Sequence, residues 1–155
     1  MLIAGVDPGA NGAIAVLDSS NPDSVALLDL AKVTPFDAYQ WLHKQQPNSV
    51  WIEDVHSLYG MSAKSNFGFG KNLGIVTAIA KIAINGQAVK TVVPKVWQKY
   101  VGVTVRGKAI KKQVAEIANT LYPTANLYGK RGGLLDGRAD ALMIAHYGLH
   151  NKEKV

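Results

Sequence analysis

No cysteine occurs among the 155 residues. That excludes a disulfide scaffold, thiol catalysis and the cysteine-based zinc sites, and it fits a reducing compartment. No apolar run reaches the ~18 residues that a membrane span needs, so no membrane partner is expected. The opening stretch, Met1 to Gly12, carries no basic residue and meets a carboxylate at Asp7. It reads as neither a signal nor a transit peptide, and the expected location is cytoplasmic. Glycine (15) and proline (6) are spread along the chain, which excludes a collagenous or low-complexity segment.

What is present is enough apolar material for a core, 48% of residues, with 18% charged. The length suits one domain over 1–150, followed by a short tail over 151–155. Acidic residues are scarce in the second part of the chain. Residues 1–60 hold two Lys/Arg (Lys32, Lys44) against seven Asp/Glu, a net of −5; residues 61–155 hold fifteen against four, a net of +11. Together they give the overall +6. Such a basic region suits a polyanion, most simply nucleic acid, and equally serves solubility.

Short apolar runs at 2–7 and 12–18, joined by Pro8-Gly9-Ala10-Asn11, predict a hairpin. A third strand is expected at 24–30, after a turn at Ser20-Asn21-Pro22. Thr34 and Pro35 predict a helix start, with Thr34 as N-cap, and Pro47-Asn48 a stop. Further strands are expected at 49–54 and 87–93. Helices are expected at 64–86, 94–100, 107–121 and 136–150, with 129–133 as a loop. In the 64–86 helix, Ile75, Ala78, Ile79 and Ile82 form one apolar stripe, widened by Val76, Ala80 and Ala83. In the last helix Ala139, Leu142, Met143 and His146 share a side. The close early strands should pair antiparallel, and those linked through helices parallel. The expected fold is α/β: a mixed five-stranded sheet with helices on both faces.

Four acids stand where an acid needs a reason. Asp7 follows the first strand, Glu53 ends the fourth, and Asp136 and Asp140 open the last helix four residues apart, on one side of it. A carboxylate at the end of a buried strand is costly unless it meets a cation or donors. Acids converging from strand ends and a helix start suit Mg²⁺ or Mn²⁺, which take oxygen ligands. Two such ions can activate water and stabilise a leaving oxygen in phosphodiester hydrolysis. Each acid also has a plainer reading. Asp7 suits a turn before Pro8-Gly9, and Glu53 or Asp54 a solvated strand end, with alternation sending only one of those two toward a site. Asp136 suits an N-cap, with Asp140 favoured by the helix dipole. His146 and His150 stand four apart, but one lies on the apolar side and the other near the tail. They are read as packing and surface residues rather than a metal pair.

Three segments carry a resemblance: Val6-Asp7-Pro8-Gly9-Ala10-Asn11-Gly12, Trp51-Ile52-Glu53 and Arg138-Ala139-Asp140-Ala141-Leu142-Met143. Together they resemble the RuvC-type Holliday junction resolvases, most closely the small phage and organellar-type members. The segments Phe67–Gly74 and Val93–Trp97 extend the likeness over nearly the whole chain. The resemblance implies an RNase H-like fold, a homodimer, and paired Mg²⁺-dependent nicks in four-way DNA. It implies two ions per active site, held by Asp7, Glu53 and Asp140. It also implies a functional Lys or Arg in 106–112, for which Lys111 is the candidate. Many members carry an acid or His where this chain has Gly137, so Asp136 is the candidate fourth ligand. An aromatic residue used by bacterial members to open the junction is replaced by His56. Lys64, Lys71, Lys95, Lys99, Arg106, Lys108, Lys111 and Lys112 are candidate DNA contacts, the lysines as phosphate binders rather than base readers. The residues 64–86 are the expected dimer contact. Two other readings are a phosphotransferase or ATPase built on the same hairpin, and a junction-binding protein without cleavage.

Overall fold

The computed structural model describes residues 1–55, 60–85 and 88–151. Five strands form one sheet in the order β3-β2-β1-β4-β5: β1 Leu2–Val6, β2 Ala13–Asp18, β3 Asn21–Asp29, β4 Ser49–Glu53 and β5 Val89–Val92. β1, β2 and β3 pair antiparallel, while β4 runs parallel to both β1 and β5. The split follows from the connections. Tight turns join the first three strands, whereas α1 (Pro35–Gln45) and α2 (Ala63–Ala83) carry the chain between the later ones. Three further helices follow: α3 Pro94–Val101, α4 Ala109–Leu121 and α5 Asp136–His150. This is the expected mixed sheet with helices on both faces, an RNase H-like architecture.

Strand alternation divides the core into two layers. Ile3, Ala15 and Trp51 face α3, α4 and α5, while Ala4, Val6, Val50 and Ile52 face α1 and α2. Each fully buried Leu, Ile or Val in these layers contributes roughly 1.5–3 kcal/mol. α1 begins where the sequence placed it. Thr34 accepts from the Asp37 N–H, Asp37 returns the bond to the Thr34 N–H, and Pro35 occupies the first turn. Such a cap is worth ~1 kcal/mol.

α5 is more deeply buried than one apolar side predicts. Ala139, Ala141 to Ala145, Tyr147 and Gly148 are all buried, because the helix lies between the sheet and α3 and α4. Small residues permit this approach. A Cβ at Gly5 of β1 would stand 2.2 Å from the Ala141 carbonyl oxygen and 2.3 Å from the Ala145 nitrogen, so only glycine fits. The crossing brings the first turn of α5 over the end of β1.

Two expectations need correction. β3 begins at Asn21, so Pro22 lies in a strand and not in a turn. The strand is at the sheet edge, where a missing N–H is tolerated. The wide apolar surface expected of α2 divides in two, with Val76, Ile79, Ala80 and Ala83 buried and Ala78 and Ile82 exposed. α4 begins at Ala109, because Gly107 has φ +59°, outside the helical region. The expected start of the fifth strand at Gln87 lies outside the described residues. Among the described residues, no helix is long and apolar enough to cross a membrane.

Candidate active site

β1 and β4 are parallel neighbours, with Val6 opposite Ile52. That register sets Asp7, the next residue after β1, beside Glu53, the last of β4. The C-terminal ends of parallel strands are where α/β folds commonly place their sites. Asp7 is held by the hairpin: its N–H donates to the Ala13 carbonyl at 3.0 Å, and its Oδ1 accepts from the Gly9 N–H at 2.9 Å. Glu53 is buried, and its Oε1 accepts from the indole N–H of Trp97 at 2.9 Å. Trp97 is itself fully buried on α3. Asp54, the alternate acid, is only partly buried.

α5 supplies the other two acids from its first turns. Leu135, not Asp136, is the N-cap residue, and it makes no side-chain cap bond. The Asp136 carboxylate instead pairs with the ammonium of Lys111 on α4. Asp7, Asp136, Asp140 and Lys111 line one cleft of about 420 Å³, together with Asn11, Val55, Met61, Asn66 and Phe69.

The electrostatics follow from crowding acids in a poorly solvated place. Burial pushes Asp140 up to about 8, and the charges of Asp7, Glu53 and Asp136 add to the effect against the opposing pull of Lys111. Burial likewise raises Glu53 to about 7, with Asp7 adding and the Trp97 bond opposing. Asp7 is raised by burial, against the Gly9 N–H bond. Lys111 is raised, chiefly through its bond to Asp136. Fully ionised, these acids would outnumber the one lysine of the cleft, so without a cation Asp140 and Glu53 retain protons toward neutral pH.

An all-carboxylate donor set whose members hold protons for want of a cation fits hard divalent cations in its chemistry. The acids do not form a closed cage, however. Among the described residues, no three Asp, Glu, His or Cys side chains stand close enough to hold an ion as they are. Asp136 is engaged by Lys111.

Gly137 has a steric cause. A Cβ there would lie 2.1 Å from the Asn11 carbonyl oxygen and 2.9 Å from the Gly12 Cα, so no acid or His fits at this position. A residue that sequence reasoning passed over fixes the same turn. Arg138 donates from Nε to Asp29 Oδ1 at 2.6 Å, from Nη2 to Asp29 Oδ2 at 2.9 Å and from Nη1 to the Asn126 carbonyl at 2.7 Å. This fork ties α5 to the end of β3 between Asp136 and Asp140, and it holds the Asp29 carboxyl down at about 2. Trp97 was also passed over as a site residue, being 44 positions from Glu53. The only signals in the sequence are an arginine between two acids and a lone tryptophan in a short helix after the fifth strand.

The other candidates are dispersed. Lys64 and Lys71 are exposed on α2, Lys95 and Lys99 on α3, and Arg106 and Lys108 before α4. None of these six has an acidic partner among the described residues. Lys112 makes only an exposed 3.9 Å contact with Glu116. His56 lies outside the described residues. His146 and His150 sit at the far end of α5, away from the acids.

The architecture is shared with junction-resolving nucleases. The chain is similar to Thermus thermophilus RuvC in complex with Holliday junction substrate, at 18% identity and TM-score 0.67, covering 99% of this chain and 96% of that one. A second structure of T. thermophilus RuvC matches at 19% identity and TM-score 0.63, covering 96% and 95%. Fowlpox virus resolvase, solved with Holliday junction DNA, matches at 18% identity and TM-score 0.57, covering 99% and 100%. No protein-family model matches the chain, and no curated protein matches it. At these identities the likeness establishes the RNase H-like, RuvC-type fold over nearly the full length.

Proposed function

We propose that this chain is a metal-dependent endonuclease that nicks four-way or other branched DNA, leaving 5′-phosphates, with residues 1–150 as one nuclease domain. The observation that carries the reading is the cleft itself, where Asp7 after β1 and Asp136 and Asp140 of α5 share Lys111, with Glu53 near enough for its charge to act on Asp140. Two Mg²⁺ ions, or Mn²⁺, held by Asp7, Glu53, Asp136 and Asp140 would supply water activation and charge stabilisation at the leaving oxygen. The chain's own residues prepare for this. The hairpin N–H of Gly9 fixes one oxygen of Asp7, and Trp97 fixes one oxygen of Glu53. Lys111 neutralises Asp136 and stands in the cleft as a cation for a phosphate oxygen. The unpaired cations on α2, α3 and the segment before α4 would hold the DNA backbone and make binding fall steeply with salt.

A homodimer belongs to the same reading. On α2, Phe67, Gly70, Gly74, Ala78 and Ile82 are exposed along one side, with Phe67 at 76% and Ile82 at 64%. Exposed apolar residues of this size at helical spacing suit a two-fold contact, and a monomer by light scattering at working concentration contradicts it.

The open spacing of the acids favours one second reading, a junction-binding protein without cleavage. One gel separates the two. The protein is incubated with labelled four-way junction, flap and linear duplex, with Mg²⁺ or with EDTA. Paired nicks on the junction that vanish with EDTA support the nuclease, and tight binding with no product under either condition supports the alternative.

A further inference from the structure

Residues 127–135 form a second structured element beside the cleft. Tyr128 and Leu134 form an antiparallel bridge, the Leu135 N–H donates to the Leu127 carbonyl at 2.9 Å, and the Gly129 N–H donates to the Gly133 carbonyl at 2.8 Å. Gly132, at φ +77°, closes the tip, and its N–H donates to the Gly129 carbonyl at 2.9 Å. The base is anchored by Leu127, which is fully buried, and by Arg138, which grips the neighbouring Asn126 carbonyl. What the sequence reads as a loop is therefore a stapled miniature hairpin.

Its tip carries Lys130 and Arg131, both exposed. Neither has an acidic partner among the described residues, and no acid occurs in the sequence between Glu116 and Asp136. Lys32, Lys111 and Arg138, by contrast, are each matched to a carboxylate. Adjacent like charges repel, so a rigid turn that displays two of them free suits an external anion. The hairpin also leads into the site. Leu134 and Leu135 line a depression with Asn11 and Asp136, and those last two residues line the acid cleft as well. From Arg131 to Asp136 is five residues, at most about 17 Å of chain.

We infer that the 128–134 hairpin is a strand guide: Lys130 and Arg131 hold backbone phosphates of the nucleic-acid strand whose scissile phosphate lies in the acid cleft. This rests on the nuclease reading above. Arg131 has the planar fork that suits a phosphate, and Lys130 acts as a point charge. At 3.4 Å per nucleotide along a strand, the reach from Asp136 corresponds to contacts within about five nucleotides of the cut.

The test compares K130A/R131A with the wild type and with Lys44→Ala, a charge loss on the exposed side of α1. Affinity for a labelled four-way junction is measured across salt, and phosphate-ethylation interference maps the contacts. Two lost contacts lower the slope of log K against log salt by about 1.8, so affinity drops about tenfold less between roughly 50 and 200 mM salt. Interference is lost at phosphates within five nucleotides of the cut, and K130R/R131K restores both. Lys44→Ala changes neither. Wild-type binding with an unchanged slope and footprint in K130A/R131A overturns the hairpin alone. A wild type that binds no branched DNA overturns the nuclease reading and this inference with it.

Discussion

The two ends of α5 carry the same spacing with opposite meaning. Asp136 and Asp140 stand four apart at its start, and His146 and His150 four apart at its end. Either pair has the spacing of a metal motif. At the far end the polar atoms have partners: Tyr122 and His146 share a 2.8 Å bond, and His150 meets the His146 carbonyl at 2.9 Å. Tyr100, Tyr122 and the two imidazoles pack ring against ring. Burial, with His150 adding, depresses His146 to about 4, so it stays neutral. At the near end burial and three neighbouring acids act on the same kind of spacing and raise Asp140 to about 8, so it gives up its proton readily only to a cation. Spacing alone therefore does not identify a site; the crowding of like acids that shifts their protonation does.

The comparison is sharpened most by Asp7→Asn. Cleavage of a four-way junction falls about 10³-fold, the several kcal/mol that bound-ion chemistry supplies. Junction binding in a mobility-shift assay persists. His146→Ala, made in parallel, leaves single-turnover cleavage within a few-fold of wild type. Equal losses from both variants break the distinction.

Arg138→Ala comes next. It frees the partly buried Asp29 carboxylate and the first turn of α5, costing ~2–3 kcal/mol by chemical denaturation. Cleavage falls with it, and Arg138→Lys recovers little because the fork is lost. Tyr122→Phe probes the histidine end: it strips the hydroxyl from His146 Nδ1 and costs ~1–3 kcal/mol, with cleavage unchanged.

The smallest effect concerns pH. Native Asp140 and Glu53 bind protons up to about 8 and about 7, whereas the unfolded chain releases them near 4. The metal-free native state thus binds more protons between those limits, and its stability falls as pH rises through that window. His146 has the opposite sign, losing stability as pH falls from about 6.5 toward 4. Asp140→Asn should therefore raise the metal-free melting temperature at pH 8 by about 3–6 °C and flatten its decline above pH 6. A steeper decline in the variant contradicts the assignment.

Much of this arrangement is legible in the sequence, because local chemistry specifies it. The Thr34-Pro35 cap and the Pro8–Asn11 turn both depend on neighbouring residues. Pro22 misleads because its tolerance depends on an edge position, which only sheet order reveals. Trp97 and Arg138 are invisible as supports for the same reason: their partners lie 44 and 109 positions away. Gly137 reads as a lost ligand until the Asn11 carbonyl is seen against it. α2 shows the limit of periodicity. An apolar residue recurring on a helix does not say which side the sheet takes, so the stripe alone does not tell that Ile79 is buried and Ile82 exposed.

The most direct measurement is Mn²⁺ binding by titration calorimetry at pH 8, on the wild type, Asp7→Asn and His146→Ala. The account predicts up to two ions on the wild type, the same on His146→Ala, and none or one weak site on Asp7→Asn. Binding that survives in Asp7→Asn and disappears in His146→Ala would place the metal at the wrong end of α5 and contradict it.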